Sequence, residues 1–138
     1  MKKKKNKKVR KIFGYHLAID LFDCDPDVIK NMEKCYVYLS EIPNVLKTNI
    51  QSPPFIFYKQ NIGLCGWIPI VESGISLYID FSKNFASTDI YSCTKFDPKE
   101  VKDFVVKFFK PKKVKEYYIV RGKKYIHPTK LLEARGLI

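Results

Sequence analysis

Between Gly63 and Cys93 the chain makes three apolar runs, Gly63 to Val71, Ile75 to Phe81 and Phe85 to Cys93, separated only by Glu72-Ser73-Gly74 and Ser82-Lys83-Asn84. Breaks this short, built from Gly, Ser and Asn, are turn chemistry, so the runs are predicted to be successive antiparallel strands. A further strand is expected over Phe13 to Phe22, ended by Asp23-Cys24-Asp25, and a last one over Val114 to Val120. Two Asp-Pro pairs mark helix starts, an N-cap followed by proline at the first helical position. The helix after Asp25-Pro26 places Val28, Ile29, Met32, Cys35, Tyr36 and Leu39 on one face, and the helix after Asp97-Pro98 does so with Val101, Phe104, Val105 and Phe108 before Pro111 stops it. Beyond Pro43 the reading is extended, Asn49 to Gln51 and Phe55 to Tyr58, bent at Pro53-Pro54. Pro128 to Ile138 reads as a short helix.

This order defines an α+β fold, a two-layer sandwich of a mainly antiparallel sheet with helices on one face. Such a sheet leaves its other face open to a second copy, so a homodimer is expected.

The 138 residues are 46% hydrophobic and 29% charged, which suits one compact domain over residues 12–138 and excludes a disordered or low-complexity chain. The longest strongly apolar stretch without a charge, Ile62 to Val71, is half of what a bilayer span needs. No membrane span and no secretory signal is read, and a cytoplasmic protein is expected. Net charge is +12, but eight of the 26 basic residues lie within residues 2–11, leaving 18 against 14 acids, a net +4. Residues 1–11 therefore read as a basic disordered tail, able to bind nucleic acid nonspecifically at most. Cys24, Cys35, Cys65 and Cys93 are 11, 30 and 28 positions apart, which matches neither a zinc knuckle nor a dense disulfide framework, and buried reduced thiols are expected.

The two histidines, His16 and His127, form no metal-binding spacing, and GxxxxGK[ST], GxGxxG and GxSxG are absent. What remains is Glu72-Ser73-Gly74 at a tight break, with Cys65 before it and Cys93 after it.

Gly14-Tyr15-His16-Leu17, Asp20-Leu21-Phe22-Asp23-Cys24-Asp25, Val71-Glu72-Ser73, Asp89-Ile90-Tyr91-Ser92-Cys93 and Val120-Arg121-Gly122 together resemble the small prokaryotic S-adenosylmethionine decarboxylases, pyruvoyl enzymes of polyamine (spermidine) biosynthesis. The resemblance runs in order from about Phe13 to Tyr125. It implies a proenzyme that cuts itself between Glu72 and Ser73. The Ser73 hydroxyl attacks the Glu72 carbonyl, and a pyruvoyl group derived from Ser73 is left on the downstream chain. That carbonyl condenses with a substrate amine and takes up the electrons released as carbon dioxide leaves, so neither pyridoxal nor metal is needed. Strain and oxyanion stabilisation at the turn are required, a need that Gly74 fits.

The same resemblance makes Cys93 the proton donor and puts Cys65 where relatives carry a serine that assists cleavage. Relatives also have a histidine five residues after the precursor serine, in a His-Thr-Trp-Pro-Glu stretch. Tyr78, Ile79, Asp80, Phe81 and Ser82 stand there instead. Tyr78 is then the candidate proton carrier, a poorer base at neutral pH than imidazole. Ser82, with Asp80 nearby, replaces a glutamate that holds the substrate's ribose hydroxyls. The implied substrate is S-adenosylmethionine or a related amine such as arginine or ornithine. A non-catalytic or regulatory homologue is the alternative, and a nucleic-acid-binding module a weaker one.

Overall fold

Apolar and polar residues alternate along Gly14–Phe22 (β1), burying Leu17, Ile19 and Leu21 completely and turning His16, Ala18 and Asp20 to the other side. A strand with one covered face has this period of two. The structure, a computed structural model, describes residues 12–50, 52–71, 73–124 and 136. The basic segment 1–11 lies outside them, as does 128–138 apart from Gly136.

Five more strands follow: β2 (Phe55–Lys59), β3 (Gly63–Ile70), β4 (Ser73–Asp80), β5 (Phe85–Ser92) and β6 (Lys113–Arg121). They form one sheet in the order β2-β3-β4-β5-β1-β6, and every neighbouring pair is antiparallel. Helices α1 (Pro26–Ile29), α2 (Met32–Val45) and α3 (Pro98–Phe109) complete the α+β architecture expected from the sequence. Tyr38, Leu39 and Ile42 of α2 and Val101, Val105 and Phe109 of α3 bury against Leu17, Ile19, Ile75, Leu77 and Ile90 of the sheet. No helix among the described residues is long and apolar enough to cross a membrane.

Both Asp-Pro starts behave as predicted: Asp25 accepts from the Asp27 N–H and Asp97 from the Lys99 N–H. The first helix, however, is broken in two. Asn31 is extended and its side chain accepts from the Lys34 N–H at 3.0 Å, capping a new start. That break rotates the inner stripe to Cys35, Tyr38, Leu39 and Ile42, so Met32 and Tyr36, predicted inward, are exposed. Helix α2 also runs through Pro43 to Val45, past the expected boundary. In the predicted extended segment 49–51, Ile50 makes an isolated bridge to Ile70 and Gln51 lies outside the described residues.

One polar chain crosses the core. The Thr88 hydroxyl donates to the Ser76 carbonyl at 2.7 Å, so its oxygen accepts from the Tyr38 hydroxyl at 2.8 Å. Burial holds the Tyr38 phenol well above its ordinary pKa.

Of the four free thiols Cys24, Cys35 and Cys93 are buried as expected, whereas Cys65 is exposed. Burial raises Cys24 from 9.0 to about 11 and Cys35 to about 12. Unfolded thiols release their protons first as pH rises, so the unfolded state then binds fewer protons and stability falls. We predict a loss of stability between pH 9.0 and about 12. Cys35→Ala should lower stability overall yet flatten that alkaline slope, as read by urea titrations at a series of pH values. An unchanged slope would contradict this account.

Candidate active site

The ladder registers lay out the helix-free face in rows. Phe57, Cys65, Tyr78, Ser87, Asp20 and Lys115 form one row, Phe55, Trp67, Ser76, Asp89, Ala18 and Tyr117 the next, and Pro69, Gly74, Tyr91, His16 and Ile119 a third. At the end of the sheet Ile70 pairs with Ser73 and Ser73 with Ser92, so only Val71 and residue 72 link β3 to β4. Glu72 lies outside the described residues.

This register brings the Ser73 hydroxyl to 3.6 Å from the Cys93 thiol. Both line a cavity of about 680 Å³ together with Phe13, His16, Trp67, Ser76, Asp89, Tyr91 and Arg121. Two candidates 20 positions apart in the chain are therefore in contact. Tyr91 bridges the remaining groups: the His16 ring meets it edge-on at 5.9 Å and the Arg121 guanidinium lies 5.3 Å from its centroid. Burial raises the Tyr91 phenol, the adjacent Cys93 adds to this, and Arg121 opposes it. Asp89 accepts from His16 Nε2 at 3.1 Å and from the Ser76 hydroxyl at 3.2 Å.

The other candidates stand apart. Cys65 and Tyr78 are direct partners across β3 and β4 and line a different hollow with Phe57. Five residues of strand put Tyr78 about 17 Å from Ser73 within one chain, at roughly 3.4 Å per residue. Asp80 ends β4, where its carboxylate accepts from the Ser82 hydroxyl at 2.7 Å and the Ser82 N–H at 2.9 Å. These two bonds, hydroxyl first, hold the Asp80 carboxyl below the usual range. In this chain Asp80 and Ser82 are thus engaged with each other, capping the short 3₁₀ turn Phe81–Lys83.

Gly74 was expected within the turn but lies inside β4, paired with Pro69 and Tyr91. Its backbone is not left-handed; among the described glycines Gly122 and Gly136 are. What Gly74 supplies is room, since a Cβ there would lie 2.8 Å from the Trp67 indole nitrogen. His16, Asp89 and Arg121 each lie in segments that carried the family resemblance, but Ser76 and Trp67 do not. The available signal for Ser76 and Asp89 was alternation, a polar residue at every second place in Ser76-Leu77-Tyr78 and Asp89-Ile90-Tyr91.

The S-adenosylmethionine decarboxylase family model matches residues 15–122. An S-adenosylmethionine decarboxylase proenzyme of Clostridium botulinum strain Hall is 35% identical over 115 residues, covering 82% of this chain and 97% of that one. The corresponding proenzyme of Pyrococcus furiosus is 29% identical over 110 residues, covering 79% of this chain and 78% of its own. Among solved structures, the adenosylmethionine decarboxylase from Aquifex aeolicus VF5 shares the fold, with a TM-score of 0.75 at 21% identity over 87% of this chain and 99% of that one. The chain belongs to the S-adenosylmethionine decarboxylase family.

Trp67 is the single tryptophan and walls the cavity, so it reports on the packing around Gly74. Gly74→Ala should shift its fluorescence emission and cost about 1–3 kcal/mol, as overpacking does. An unchanged spectrum with unchanged stability would show that the indole does not rest on Gly74.

Proposed function

We propose that this protein is a self-processing, pyruvoyl-dependent S-adenosylmethionine decarboxylase, acting in polyamine biosynthesis. The observation that carries the reading is the Ser73–Cys93 contact of 3.6 Å in the wall of a cavity, in a chain whose curated relatives are decarboxylase proenzymes.

The residues present fit a pyruvoyl group at position 73. Ser73 opens β4 directly after a two-residue link, a thiol faces its side-chain oxygen, and Gly74 lets the Trp67 indole pack against the strand beside it. In processing, the Ser73 oxygen bonds to the Glu72 carbonyl carbon and the Glu72–Ser73 amide bond breaks. The hydroxyl proton passes to the released nitrogen. Loss of the residue-73 α-proton then expels the Glu72 carboxylate with residues 1–72, and water replaces the nitrogen of the resulting dehydroalanine, released as ammonia, to leave residue 73 as the cofactor. When formed, that group supplies the electron sink that decarboxylation requires.

The protein's own residues do the rest. Cys93 holds a proton next to residue 73 and returns it to the substrate carbon after carbon dioxide departs. Arg121, Tyr91 and Trp67 wall the cavity and orient the substrate within it.

A homodimer packed through the helix-free face accounts for the apolar surface there. Phe55, Phe57, Trp67, Tyr78, Tyr117 and Ile119 are all at least two-fifths exposed on that side, more than a monomer ordinarily leaves uncovered. Cys65 and Tyr78 lie on this same face, out of reach of Ser73 within their own chain.

Denatured protein should resolve by mass into two chains, residues 1–72 and 73–138, and Ser73→Ala should remain a single 16.2 kDa chain. A wild-type chain that stays intact on long incubation would overturn the reading and favour a non-catalytic homologue. Sedimentation should give a dimer, and Phe57→Lys with Ile119→Lys should shift it towards monomer. A wild-type monomer at every concentration would exclude the interface.

A further inference from the structure

Asp89 stands out among the groups lining the cavity. Among the described lining residues it is the one acid, and Arg121 is the one fixed cation. Its carboxylate only accepts, so His16 Nε2 carries a hydrogen directed at Oδ1 and the Ser76 hydroxyl directs its own at Oδ2. Ser76 is itself fixed, because its carbonyl ends the hydrogen-bond chain that starts at buried Tyr38 and passes through Thr88. The carboxylate is therefore held by three strands and a helix rather than by a loop, the kind of support that a preorganised site needs. It is also not spent. Its side chain keeps 37% exposure, and two donors leave acceptor capacity on an ionised carboxylate.

The surroundings suit a cation. Trp67, Tyr91 and Phe13 line the same cavity, and aromatic faces attract positive charge, most strongly when it is stripped of water. Asp89 lies opposite Ser76, three residues along β4 from Ser73, or about 10 Å at roughly 3.4 Å per residue. Residue 73 and Asp89 line one cavity, so an amino acid whose amine meets residue 73 can present a side-chain charge to Asp89. A sulfonium amino acid carries its second positive charge two methylenes beyond the α-carbon, and a guanidino or ammonio one carries it three or more beyond.

We propose that Asp89 is the cation anchor of this cavity, taking the sulfonium charge of S-adenosylmethionine while the aromatic walls cover it. The proposal rests on the functional reading above but concerns binding, so it is tested without the processed enzyme. In the uncleavable Ser73→Ala precursor, calorimetry should show S-adenosylmethionine binding at least about tenfold more tightly than S-adenosylhomocysteine, its uncharged thioether counterpart. Adding Asp89→Asn should bring that ratio to about one while leaving thioether affinity nearly unchanged. Adding His16→Gln, which keeps the carboxylate, should preserve the preference even where both affinities weaken. Equal affinities in the Ser73→Ala precursor, a ratio that survives Asp89→Asn, or binding of neither ligand and none of arginine each overturn the anchor; the first and third hold even if Asp89→Asn fails to fold. Arginine binding in place of S-adenosylmethionine, and lost on Asp89→Asn, would keep the anchor and overturn the sulfonium assignment. Normal cleavage of the wild-type chain with a ratio of one defeats the anchor alone, whereas an intact wild-type chain with a high ratio defeats the processing reading alone.

Discussion

The two-residue link between β3 and β4 is the constraint on which the site depends. It locks Ile70 against Ser73 and, through the next ladder, Ser73 against Ser92. Strand register has a side-chain period of two, so a slip of one residue turns every side chain to the opposite face. With the observed register Ser73 meets Cys93, and His16, Ser76 and Asp89 converge on one surface. With any odd slip they separate. Burial of Ile75, Leu77 and Ile90 on the helix side enforces the register, since each is fully excluded from solvent. The hydrophobic core and the Asp89 network are thus two consequences of one alternation.

The faces of the sheet divide the work. Helices α2 and α3 cover one with a continuous apolar core. The other carries aromatic side chains around a polar centre, and the cavity opens on it. Tyr38 connects the two sides, because its hydroxyl reaches through the core to Thr88 and thence to the Ser76 carbonyl. A buried, fully paired hydrogen-bond chain of this kind fixes geometry more than it adds stability.

Much of this was legible in the sequence. Apolar alternation and short breaks located the strands, and the Asp-Pro pairs located both helix starts. The lost features were those decided by a single local hydrogen bond or by three-dimensional proximity. Asn31 breaks the first helix through one side-chain cap, which no periodicity records. Ser73 and Gly74 read as a turn because Gly and Ser favour turns, yet ladder pairing on both sides draws them into β4. Ser73 and Cys93 were paired by resemblance, and their contact follows from register. The Asp89 network joins residues 73 positions apart, a separation that only the β1–β5 pairing closes.

The central claim is that residue 73 becomes a keto-acyl group at the start of a strand. Reductive trapping of the purified protein with a hydride in the presence of its amine substrate, followed by peptide mapping, tests this most directly. The account predicts a substrate-derived mass added at position 73 and nowhere else. Modification at a lysine, or none at all, would contradict it.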